Sequence, residues 1–193
     1  LERFRTETLQ QIQPRAVMRR FAILPGGALE NTSFLPQGKD VAAMLADCRE
    51  AVLLAATLGA DSERMLLREQ TKDPTNALIL DAVLSSAIEA VCDQLEAELR
   101  DKAVKDGLFL TDRFSPGYGD MPIAQSKAIC EVLNTGRTIG LTVSQSGILM
   151  PRKSVTAIMG ISRAAVRHRP KGCAGCSARK TCMFAKPENK TEE

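Results

Sequence analysis

Residues 73–107, DPTNALILDAVLSSAIEAVCDQLEAELRDKAVKDG, are the stretch on which the fold turns. Asp73 followed by Pro74 is the chemistry of a helix start. The aspartate can accept from orphan backbone N–H groups, and proline suits the first helical position, where its missing N–H costs nothing. Leu80, Leu84, Ile88, Val91, Leu95 and Leu99 then recur at steps of four and three, stacking into one apolar stripe. The spacing predicts a single long helix with this stripe turned to the core, stopped at Gly107. Asp81, Ser85 and Glu89 follow one another at i, i+4 and lie beside the stripe rather than opposite it. They form either an ordinary solvated edge or a row containing a half-buried carboxylate.

On the N-terminal side, residues 15–24 read as a strand running into the turn Pro25-Gly26-Gly27, with 28–34 as its hairpin partner. Residues 40–48 read as a helix, 51–58 as a short buried strand ending at Gly59, and 61–71 as another helix. On the C-terminal side, 108–114 reads as a strand, 124–133 as a helix, and 138–143 and 154–161 as further strands. Strands and helices mix without a strict βαβ rhythm. The expectation is an α+β fold: a single domain with a twisted, mostly antiparallel or mixed sheet flanked by helices. With no repeat, linker or low-complexity block before it, that domain spans 1–162 and a basic, cysteine-containing tail spans 163–193.

Composition narrows the function classes. The chain of 193 residues is 44% hydrophobic and 25% charged, ordinary globular values. No stretch reads as the run of about 20 apolar residues that spans a bilayer, and residues 1–13 lack the apolar core of a secretion signal. A cytoplasmic protein with no membrane association is expected. The net charge of +3 belongs to the tail, since residues 163–193 carry 8 Lys/Arg against 3 Asp/Glu. One Tyr, no Trp and six Phe leave few stacking partners for single strands, so no nucleic acid is expected. His168 is the lone histidine, which excludes a histidine triad and a multi-histidine metal site within the chain. Neither a Gly-x-Gly-x-x-Gly turn after a strand nor a phosphate-binding Gly-Lys-Ser/Thr loop occurs, and six cysteines in such a chain are not read as a disulfide scaffold.

One segment carries chemistry: Arg113-Phe114-Ser115-Pro116-Gly117-Tyr118-Gly119-Asp120. It ends a strand in a bend where Pro116 sets φ and Gly117 lets the backbone approach a ligand. A guanidinium such as that of Arg113 grips a carboxylate through two parallel hydrogen bonds, and an aromatic face such as that of Tyr118 attracts a cation such as a sulfonium. S-adenosylmethionine carries both groups. The plain alternative is a structural turn whose Arg113 pairs with a local aspartate.

The pattern Arg-x-x-Pro-Gly-Tyr closely resembles the S-adenosylmethionine-binding loop of the activation domain of cobalamin-dependent methionine synthase. Gln125, the helix running to Leu133, Thr138-Ile139-Gly140-Leu141-Thr142 and Met150-Pro151-Arg152-Lys153-Ser154-Val155 are similar to that family in order and spacing. The resemblance spans roughly residues 14–162. It implies a methyl donor presented to a corrinoid held by a separate protein: a cofactor that has slipped to inert cobalt(II) is returned to methylcobalamin by an electron and the methyl group of S-adenosylmethionine. It further implies that Arg113 holds the donor's carboxylate, that Ser115 and Gly117 add backbone contacts, and that Tyr118 lies by the sulfonium and the reacting cobalt as the catalytic residue. Glu89, in Ile88-Glu89-Ala90-Val91, falls where the family carries a ligand-binding glutamate. The implied partners are a corrinoid-binding protein, or the remaining methionine synthase modules, and a flavodoxin-like or ferredoxin-like reductant. No Asp-x-His-x-x-Gly corrinoid motif is present, so cobalamin belongs to the partner. The family also continues into a region with a further ligand-contacting tyrosine, where this chain has its basic tail.

That tail holds Cys173, Cys176 and Cys182, a C-x-x-C with a third thiol after five intervening residues. Three thiolates suit a zinc ion or an Fe–S cluster, with a fourth ligand from Cys48, Cys92, Cys130, a partner chain or, for zinc, His168. A redox or free-thiol role and an unstructured tail are the alternatives. Two further readings follow for the whole chain: a docking subunit of a corrinoid methyltransferase that binds no S-adenosylmethionine, or an Fe–S electron-transfer protein.

Overall fold

The computed structural model describes residues 2–166. The metal-site candidates Cys173, Cys176 and Cys182, together with His168, lie outside the described residues. The elements in chain order are α1 (Glu2–Gln11), β1 (Arg15–Ala22), α2 (Lys39–Leu45), β2 (Cys48–Thr57), α3 (Ala60–Lys72), α4 (Pro74–Lys105), β3 (Phe109–Leu110), α5 (Gln125–Leu133), α6 (Thr135–Thr138), β4 (Thr142–Val143), β5 (Leu149–Met150) and β6 (Ser154–Ser162). The expected α+β fold is present. Its main sheet has the order β1-β2-β6-β3, with every neighbouring pair antiparallel, and β4 pairs with β5 in a separate two-stranded ladder.

Strand β2 explains why the sheet is covered on both faces. Its side chains alternate, so Ala51, Leu53 and Ala55 join one core while Val52, Leu54 and Ala56 join the other. The first core lies under α2 and α5 and includes Phe21, Leu45, Phe114, Ile129 and Ile158. The second lies under α1, α3 and α4 and includes Phe4, Leu66, Leu84, Cys92 and Met159. A strand with apolar neighbours on both faces reads as a continuous apolar run, as β2 does.

Helix α4 follows the prediction closely. Asp73 accepts from the backbone N–H groups of Thr75 at 2.9 Å and Asn76 at 3.2 Å, and Pro74 occupies the first turn. Leu80, Leu84 and Ile88 are buried in the second core, with Val91, Leu95 and Leu99 packed against it. One reading needs correction here: by length and composition alone α4 is apolar enough to cross a membrane. In the fold, however, its stripe lies on the sheet.

Other expectations shift. Residues 28–34 do not form a second strand of a β1 hairpin; only Ile23 and Leu29 bridge, and β1 pairs with β2 instead. Cys48 opens β2 rather than closing α2. The strand expected over 108–114 is reduced to β3 plus a bridge from Phe114 to Ile158, because the chain bends away between them. Residues 138–143 are mostly not strand. Asn134 takes a left-handed conformation that ends α5, α6 follows, and the buried Thr135 hydroxyl donates to the Leu141 carbonyl at 2.6 Å, closing the segment as a turn. Helix α1 was not anticipated, since its sequence is polar apart from Phe4 and Leu9; the buried Phe4 joins it to the core under α4.

Candidate functional site

The segment 113–120 is fastened to the sheet at one end and to α2 at the other. At the sheet, Thr111 N–H donates to the Gly160 carbonyl at 2.9 Å while the Thr111 hydroxyl accepts from Gly160 N–H at 2.8 Å. Phe114 and Ile158 exchange both backbone hydrogen bonds at 2.9 Å, and the Phe114 ring is buried. At the far end Asp120 caps α2 from outside, accepting from the backbone N–H groups of Lys39 at 2.6 Å and Asp40 at 3.1 Å. These bonds, that from Lys39 first, hold the exposed Asp120 carboxyl below the usual aspartate range. Gln125 completes the fastening: its carbonyl accepts from Gln37 N–H and its amide donates to the Leu35 carbonyl, each at 3.0 Å.

Between these anchors the backbone closes on itself. Tyr118 N–H donates to the Ser115 carbonyl at 3.1 Å, Gly117 N–H to the Met121 carbonyl at 2.9 Å, and Met121 N–H to the Tyr118 carbonyl at 3.1 Å. Gly117 sits at φ +93° and Gly119 at φ +53°. At Gly119 a Cβ would land on the Asp40 carboxylate and against the Phe114 ring, so glycine is required there for space as well as for φ. The Ser115 carbonyl and the Gly117 N–H therefore take part in the loop's own hydrogen bonds. Tyr118 stands at the tip with 70% of its surface exposed.

Arg113 and Glu89, separated by 24 residues, meet at 3.3 Å between Nη2 and Oε2. Two carboxylates that the sequence reading did not single out join them. Asp93 Oδ1 lies 2.7 Å from Nη2, and Glu96 Oε2 lies 3.3 Å from Nε. The other oxygen of Glu96 accepts from Arg100 at 2.7 Å, and Arg100 also donates to the Leu110 carbonyl at 2.7 Å. The half-buried carboxylate expected on this row is Glu96, 13% exposed, rather than Glu89 at 60%. A signal for the missed residues existed: Glu89, Asp93, Glu96 and Arg100 continue the ladder of Asp81 and Ser85 at helical steps of four and three. Further back on the same row, Lys153 Nζ lies 2.8 Å from Asp81 Oδ1 and donates to Ser85 Oγ at 2.8 Å. One row of α4 thus meets cations from two loops, Arg113 after β3 and Lys153 before β6.

Arg113 Nη1 is buried and has no hydrogen-bond partner. A buried guanidinium nitrogen without an acceptor is uncommon.

No family model and no curated protein sequence matches the chain. Among solved structures it is similar to a crystal structure of the MetH reactivation domain bound to AdoHcy, with a TM-score of 0.60 and 16% identity over 82% of this chain. The fold is that of a MetH reactivation domain. The matched part spans 64% of that chain's length. The reactivation-domain fold brings Arg113, on the loop after β3, against Glu89, on α4, and leaves Ser115, Gly117 and Tyr118 on the same loop beyond Arg113.

Among the described residues no group of three or more His, Cys, Asp or Glu side chains is placed to hold a metal ion. Cys48, Cys92 and Cys130, considered as fourth ligands, are buried free thiols. Burial pushes the Cys48 and Cys92 thiols up to about 11 and raises that of Cys130. In the fold they are packing residues.

Proposed function

We propose that the chain binds S-adenosylmethionine between the 113–120 loop and α4, and so supports reductive methylation of a cob(II)alamin cofactor held by a separate protein. The observation that carries this reading is the meeting of Arg113 with Glu89 in a fold shared with a domain solved with AdoHcy bound, the demethylated counterpart of S-adenosylmethionine. Nη2 of Arg113, which meets two exposed carboxylates, is the nitrogen that faces an incoming anionic group.

In this reading Arg113 grips the carboxylate of the methionine moiety and Glu89 orients the ligand from the helix. Ser115 and Gly117 add backbone contacts to the ligand, and Tyr118, exposed at the loop tip, is the catalytic contact beside the sulfonium and the arriving corrinoid. S-adenosylmethionine supplies the methyl group, while the partner's cobalt supplies the nucleophile. The protein's task is then positioning, which needs neither a general acid nor a general base and suits a chain with one histidine. The electron comes from a flavodoxin-like or ferredoxin-like donor.

The test has two parts. Titration calorimetry should show S-adenosylmethionine binding that Arg113→Ala removes. Anaerobic incubation with a cob(II)alamin protein, reductant and S-adenosylmethionine should give the methylcobalamin spectrum only when this chain is added. A specific observation favours a second reading, a docking subunit that binds no methyl donor: Arg113 already pairs with three carboxylates of its own chain. Capture of the corrinoid protein with no calorimetric signal for S-adenosylmethionine would support it.

A further inference from the structure

Asp93 is the nearest partner of Arg113, at 2.7 Å from Nη2, yet its carboxylate is 62% exposed whereas the Arg113 side chain is only 15% exposed. The three acidic partners therefore differ in kind. Glu96, as enclosed as Arg113 itself, holds Nε and is tied in turn to Arg100, so it fixes where the guanidinium sits. Asp93 and Glu89 hold Nη2 from the solvent side, where water screens a pair and competes for both partners, so either can leave at small cost. Nη1, the other nitrogen of the end-on edge, has no partner.

From this arrangement we infer that Asp93 is an internal stand-in for the ligand carboxylate: it occupies Nη2 in the free protein and is exchanged for the carboxylate of the methyl donor. The inference rests on the proposed binding of S-adenosylmethionine. The exchange replaces the bond from Nη2 to Asp93 with a bond from Nη2 to the ligand carboxylate, on the side of the guanidinium that faces solvent. Glu96 stays on Nε throughout, so the guanidinium keeps its place. Free protein thus holds Arg113 neutralised, and affinity for the donor is set by competition between two carboxylates, one of the chain and one of the ligand.

The test is calorimetric titration of S-adenosylmethionine into the wild-type chain and into the variants Asp93→Ala and Asp93→Glu, with far-ultraviolet circular dichroism to check the fold. Alanine on the exposed face of a helix is well tolerated. Asp93→Ala should bind about three- to fivefold more tightly, the scale of one exposed ion pair removed from the competition. Asp93→Glu, which returns a carboxylate within reach of Nη2, should bind as the wild type does. Unchanged or weaker binding by Asp93→Ala, or an affinity for Asp93→Glu equal to that of the alanine variant, overturns the inference while leaving the proposed function standing. Absence of binding by both wild type and Asp93→Ala overturns the proposed function and the inference with it.

Discussion

Glu96 on the long helix holds two arginines at once, Arg113 through Oε2 at 3.3 Å and Arg100 through Oε1 at 2.7 Å. The helix and the candidate loop meet in that carboxylate, and Arg100 carries the contact on to the Leu110 carbonyl at the end of β3. Because Glu96 and Arg113 are largely enclosed, removing one charge strands the other, whereas an exposed pair would be replaced by water. Glu96→Ala is expected to destabilise the protein by about 1–3 kcal/mol, read as a lowered urea midpoint with unchanged slope. It should also weaken S-adenosylmethionine binding, the opposite sign to Asp93→Ala.

Asp120 ties the loop to α2 by accepting two backbone N–H groups. Its carboxyl lies below the usual aspartate range in the folded protein, so its contribution is present at pH above the unfolded value and is lost as pH falls through the folded one. Asp120→Asn should melt below the wild type near neutral pH, and the gap should close progressively under acid conditions. A gap that stays constant across the acid range would show that the two bonds are not responsible.

Gly119 combines φ +53° with the Asp40 carboxylate and the Phe114 ring where a side chain would begin. Gly119→Ala is expected to cost about 1–3 kcal/mol by urea unfolding. Gly140, at φ +71° with open space around it, should tolerate alanine better, losing only the cost of its backbone conformation.

Tyr118 is exposed at the tip of the loop, so Tyr118→Ala should leave stability within about 0.5 kcal/mol. Under the proposed function the same variant slows appearance of the methylcobalamin spectrum, with S-adenosylmethionine binding less affected than by Arg113→Ala. A melting temperature lowered as much as the activity would assign Tyr118 a structural role instead.

Cys48 and Cys92, buried and pushed up to about 11, hold about one thiolate in a thousand at pH 8. Iodoacetamide should leave them and Cys130 unmodified in the native protein and alkylate all three in urea, as read by peptide mass mapping.

Much of the fold is legible in local sequence because the relevant signals are local. Asp73-Pro74 caps its own helix, the stripe from Leu80 to Leu99 repeats with the helical period, and β2 and β6 are apolar runs bounded by turn residues. The loop 113–120 is visible for the same reason, since Pro116, Gly117 and Gly119 shape a bend by themselves and Arg113 and Tyr118 stand out by their chemistry. The misread elements are those whose state depends on distant partners. Residues 28–34 lost the role of β1's partner to β2; 138–143 differs, since a local bond from Thr135 to Leu141 closes it as a turn. Helix α1 forms on a polar sequence whose Phe4 packs in the core shared with α4, a partner far along the chain.

The sequence by itself determined the long helix, the short buried apolar strand that is β2, and the glycine-bearing bend with its arginine and tyrosine, because each follows from the stereochemistry of neighbouring residues. Only the tertiary structure decided what Arg113 touches. Antiparallel pairing through β6 sets the bend against α4, and it is this approach across the chain that places Glu89, Asp93 and Glu96 around one guanidinium. Helical spacing aligns those carboxylates on a face, but which cation they meet depends on how helix and loop pack across the sheet.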